Sequence, residues 1–113
     1  MTEFTFLFRG RERSASPQEL QKNMEKWVAW FKELDANGRM KDPGNPLAAS
    51  GKVVSGKRKI VSDGPFAEAK DVVGGYILIE AETLAEATDI AKGCPILEVG
   101  GSVEVRPVEI VNR

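Results

Sequence analysis

The chain has 113 residues, 42% of them hydrophobic and 29% charged, with a formal net charge of −1. This suits one globular domain with a real core, and the near-balance of charge offers no basic surface for a nucleic-acid duplex. There is no run of about 18 apolar residues to cross a membrane, and with no histidine and a single cysteine the usual triads, His-ligated metals and internal disulfides are excluded within one chain.

The start, Met1-Thr2-Glu3-Phe4, carries no export signal. The expectation is one domain over residues 1–113 in a reducing, cytoplasmic setting. Acid–base work would fall to carboxylates, Lys, Tyr or Cys94, and no metal or cofactor is expected.

Phe4 to Arg9 reads as the first strand, with Phe4, Phe6 and Phe8 on one face and Thr5, Leu7 and Arg9 on the other. Ser16-Pro17-Gln18-Glu19 is a helix start with a capping box. Leu20, Met24, Trp27, Phe31 and Leu34 then recur at spacings of 4, 3, 4 and 3, one face of a helix from about Pro17 to Asn37. Core packing is the default for Trp27 and Trp30, and Trp30, which flanks that stripe with Val28, is the better candidate of the two for the wall of a cleft. Arg39 to Pro46, with Asp42-Pro43-Gly44-Asn45-Pro46, reads as loop, and Leu47 to Ser50 as a short extended piece. Val53-Val54 and Ile60-Val61 flank a Gly-containing turn and predict a hairpin, crowded by Lys52, Lys57, Arg58 and Lys59. Those cations read as protection of a solvated edge, with an anion-binding patch as the alternative.

The organising stretch is Ser62-Asp63-Gly64-Pro65-Phe66-Ala67-Glu68, an acidic turn ahead of the apolar strand Gly75 to Ala81. Thr83 to Glu86 opens a second helix, which Gly93 and Pro95 end. A last strand, Ser102 to Arg106, turns Val103 and Val105 inward, and Pro107 suits it to an edge. The order predicts an α+β, ferredoxin-like fold, β-α-β(hairpin)-β-α-β, with an antiparallel sheet. Two helices cover one face of such a sheet. Both the first strand and Tyr76 to Ile79 are apolar on both faces, so a second copy packed sheet to sheet is the expected cover.

The chain resembles the YCII-related family, and within it the proteins named for a DGPF motif. The resemblance is carried by Asp63-Gly64-Pro65-Phe66, Gly74-Gly75-Tyr76-Ile77-Leu78-Ile79, Gly93-Cys94-Pro95 and Gly101 to Pro107. It implies a dimeric α/β barrel with clefts near the rims, and an activity unassigned for most members. Some members resemble enzymes with a His–Asp pair; Asp63 maps onto the Asp, but the histidine has no counterpart. The resemblance also implies an association with alternative sigma factors.

These readings converge on a homodimer that binds a small molecule near Trp30, Gly64, Pro65, Phe66 and Tyr76. Asp63 has two readings, an Asx turn through its own backbone or a general base. The functional alternatives are an enzyme using Asp63 and a regulatory module working through the Lys-rich hairpin. Cys94, at a helix end without a histidine, reads as a buried hydrophobe.

Overall fold

A computed structural model describes residues 1–10, 16–64 and 71–111. Alternation builds the centre of the sheet. In β1 (Thr2–Arg9) every second side chain, Phe4, Phe6 and Phe8, is buried, and in β5 (Val73–Ala81) so are Ile77, Ile79 and Ala81. The two strands pair antiparallel with Phe6 opposite Ile77 and Leu7 opposite Tyr76, so the Phe and Ile rows share one face. On the outer side of β1 lies β6 (Ser102–Pro107), with Val105 opposite Phe6. The sheet order is β2-β5-β1-β6, which makes Pro107 an edge-strand residue as expected.

The strand β2 (Met40–Pro46) corrects the reading of this stretch as loop. Its Pro and Gly content is tolerated because β2 is an edge and pairs only with β5. Pro43 and Gly44 fall in a register shift between Asp42 and Asn45 and need no ladder partner. Gly44 has φ +55°, and its N–H donates to Asp42 Oδ1 at 2.8 Å, so Asp42 builds an Asx turn here. With β2 in place the topology is the ferredoxin-like α+β fold: an antiparallel sheet with two helices on one face.

Helix α1 (Pro17–Ala36) starts where Ser16 Oγ accepts the Glu19 N–H at 3.2 Å, and it stops at Asn37 and Gly38, the latter at φ +69°. Helix α2 (Leu84–Ala91) is capped by Thr83 Oγ1, which accepts the Glu86 N–H at 3.1 Å. A 3₁₀ turn, Pro95–Val99, follows it. Both helices pack on the Phe and Ile rows, and each fully buried Phe or Ile there contributes about 1.5–3 kcal/mol.

The predicted hairpin is a separate two-stranded ribbon of β3 (Gly51–Ser55) and β4 (Ile60–Gly64), joined by a turn with Gly56 at φ +70° and Lys59 at φ +56°. Leu47 to Ser50, expected to be extended, forms no strand. The ribbon has no substantial packing with either helix or with the four-stranded sheet. The radius of gyration, 15.8 Å, accordingly exceeds the value of about 13 Å typical of this chain length.

Candidate functional site

Helix α1 carries two kinds of apolar residue. Trp30 and Leu34 sit over the sheet and are buried, whereas Leu20 and Met24 are more than half exposed although they belong to the predicted stripe. The reason lies beneath them. The strand ends they approach are Gly10, Gly74 and Gly75, which have no side chains to fill the space. The result is an apolar cavity of about 600 Å³ between the first half of α1 and the end of the sheet. Phe8, Trp27 and Phe31 form its aromatic wall, and Leu20 and Met24 stand at its mouth. Phe8 and Trp27 meet edge to face at 5.0 Å, and Trp27 and Phe31 at 5.9 Å, so the wall is held by its own ring contacts. Asn23 contributes the one amide side chain among the lining residues. A concave apolar space with one amide is the general form of a small-molecule site.

Trp30 does not line this cavity. It is 6% exposed and stacks on Phe6 at 6.3 Å, with Phe8 at 6.1 Å. Its remaining edge borders shallow grooves between α1 and α2, one of about 490 Å³ that also includes Glu33, Arg39, Glu86 and Asp89. Arg39 and Glu86 pair across that groove at 2.5 Å.

Tyr76 points away from all of this. With Thr5, Leu7 and Leu78 it forms the opposite face of the sheet, half-buried by its own neighbours and covered by no element among the described residues. The molecule is only 19 Å deep along its short axis, the depth of one sheet and one layer of helices. At the rim of this open face Arg9 holds Glu104 through Nε and Nη2, at 3.1 and 2.9 Å, and donates from Nη1 to the Asp71 carbonyl at 2.7 Å. Trp30 and Tyr76 thus lie on opposite faces and cannot line one cleft within one chain.

Asp63 is on β4, where Lys52 from β3 donates to its Oδ1. Its side chain is 89% exposed and forms a cross-strand ion pair with Lys52, and the residues that an Asx turn at Asp63 would involve lie outside the described residues. Gly64 closes the ribbon opposite Gly51, against Val53. Pro65 and Phe66, with Glu68 and Lys70, lie outside the described residues. Cys94 is buried, and that burial pushes its thiol up from an ordinary 9.0 to about 12, so at neutral pH it is a protonated core residue. Among the described residues no cluster of three His, Cys, Asp or Glu could hold a metal ion, and no helix is long and apolar enough to cross a membrane.

The cavity was not legible in the sequence. Its signals were the glycines at 10, 74 and 75 and the two outlying stripe residues Leu20 and Met24, and these became meaningful only once the strand ends and the helix were set together.

Comparison with known proteins gives three findings. Residues 2–112 match the YCII-related domain. An uncharacterized protein of Rhizobium meliloti (strain 1021) is 44% identical over 52 residues, which span 45% of this chain and 42% of that relative's length. Among solved structures, the chain resembles 5-chloro-2-hydroxyhydroquinone dehydrochlorinase from Burkholderia phenoliruptrix AC1100, determined in complex with 2,5-dihydroxybenzoquinone. The TM-score is 0.50 at 18% identity, covering 95% of this chain and 93% of that one, a likeness of fold.

Proposed function

The chain belongs to the YCII-related domain family, and from that footing we propose that it is a homodimer that binds a small planar molecule in the cavity beneath the first half of α1. The observation that carries the binding is the aromatic-walled space of about 600 Å³ with one amide among its walls. Such a space suits a small planar ring, for which Phe8, Trp27 and Phe31 supply the stacking surface. The small quinone bound by the structurally similar dehydrochlorinase supplies a probe of that class. Gly74 and Gly75 form part of the wall, and the Asp63-Gly64-Pro65-Phe66 motif that precedes them in sequence is what supports the DGPF-type subgroup.

The homodimer is supported by the open sheet face. Leu7, Tyr76 and Leu78 would otherwise leave the centre of a two-layer molecule in water. In such a dimer Tyr76 lies between the sheets, and its ligand-binding role would belong to the assembly.

The test is calorimetric titration with a panel of substituted phenols and benzoquinones that includes 2,5-dihydroxybenzoquinone. Saturable binding is expected for the wild type, with at least a tenfold loss in Met24→Trp, which fills the mouth from an exposed position without disturbing the core. Equal binding by Met24→Trp, or no binding by any member of the panel, refutes the site.

The enzymatic alternative uses Asp63 as general base. Its support is the family resemblance, and it requires an enclosure that one chain does not give an 89%-exposed carboxylate. The sigma-factor association rests on that resemblance alone.

A further inference from the structure

An isolated two-stranded ribbon is marginal in water, yet β3–β4 is both long enough to pair five residues from each strand and poorly supported by its own chain. Directly opposed residues of an antiparallel ribbon share a face. Val54 and Val61 therefore form one apolar patch, and Val53 and Ile60 lie on the other side. Val54, Ile60 and Val61 are 65%, 58% and 62% exposed. The 19 Å short axis shows that the ribbon does not fold over the open sheet face of its own chain. Among the described residues two apolar surfaces thus stand without a covering element.

From these observations we infer that the β3–β4 ribbon is an arm that packs its Val54–Val61 face against a second copy of this chain, so that the dimer is clasped by two exchanged arms. The inference rests on the homodimer proposed above and assigns it a second contact. Area argues for the same occupant. Four strands at about 4.8 Å spacing over roughly 24 Å of shared length give the open face a planar footprint on the order of 450 Å². A stable interface takes about 800 Å² from each partner. That figure is accessible surface, which side-chain relief makes larger than a planar footprint, and an arm given together with an arm received adds to what the sheet face supplies towards it.

The arrangement also bears on Asp63. The ribbon carries Lys52 and Asp63 as its first charged pair, and within one chain no observed contact brings them to Tyr76. In an arm-exchanged dimer both would sit at the junction of the two copies. That is the enclosure the single chain lacks.

The test compares the wild type with Val54→Lys/Val61→Glu by sedimentation equilibrium. The two new charges face each other across the ribbon, so its pairing is retained while its apolar patch is removed. The expected result is a dimer whose dissociation constant rises at least tenfold in the variant, with unchanged far-ultraviolet circular dichroism. As a second measurement, Lys57→Cys at the ribbon tip is labelled with benzophenone maleimide; buried Cys94 does not compete for the reagent. Photo-cross-linking in a mixture of light and ¹⁵N-labelled chains should join light peptides to heavy ones. A wild-type dimer with an unshifted dissociation constant in the variant, or with only same-isotope cross-links, overturns the arm and leaves the dimer standing. A monomeric wild type overturns both.

Discussion

Replacing Trp30 by alanine separates a core role from a cleft role. Trp30 is 6% exposed and contacts Phe6, Phe8, Trp27 and Phe31 ring to ring, so its removal takes away the largest side chain between α1 and the sheet. Truncating a buried Trp to Ala costs about 3–5 kcal/mol, the lost transfer energy plus the cavity left behind. For 113 residues the unfolding entropy near the midpoint is about 0.24 kcal/mol per kelvin, so a loss of about 4 kcal/mol lowers Tm by roughly 17 °C. The assay is differential scanning calorimetry at one protein concentration, which keeps any contribution from association fixed. Met24→Ala, at an exposed position on the same helix, is the control and should cost under about 1 kcal/mol. A Trp30→Ala midpoint within about 5 °C of wild type would refute the core assignment and return Trp30 to a cleft.

Gly44→Ala should destabilise by at least about 2 kcal/mol by urea midpoint, because φ is +55° and the new Cβ would fall on the Tyr76 carbonyl oxygen. Gly38→Ala, at φ +69° with open space around it, should cost only about 1 kcal/mol. Cys94 should resist Ellman's reagent at pH 8 in the folded protein and react fully in urea. Its folded thiol titrates near 12 and its unfolded thiol near 9.0, so the unfolded state binds fewer protons in between. The stability from this group is intact below pH 9 and falls as pH rises towards 12, by at most about 1.4 kcal/mol per pH unit. Cys94→Ala should lack that slope in a pH series of urea melts.

Much of the scaffold was legible because it is written in local signals. The Phe4, Phe6, Phe8 alternation, the Ser16 and Thr83 caps and the Gly38 stop each act within a few residues, and each appears as expected. Where the local signal was ambiguous, the reading failed. Pro43 and Gly44 argue against a strand unless the strand is an edge with a bulge, and edge status is a property of the sheet order. For Trp30 the default reading as core holds, because the sheet lies under α1 at Trp30 and Leu34, whereas it runs out into glycines below the stripe residues Leu20 and Met24.

The sequence alone determined the α+β order of elements, the apolar character of both sheet faces, the absence of histidine chemistry and the chain's place among YCII-related proteins. Periodicity, capping and composition need no knowledge of what lies across the sheet. Only the tertiary structure decided that Trp30 and Tyr76 face opposite ways, that Asp63 stands on a projecting ribbon, and that the enclosed space lies above Gly74 and Gly75. Those outcomes depend on register and on where strands end under a helix. Long-range pairing fixes both, and no neighbouring residue encodes them.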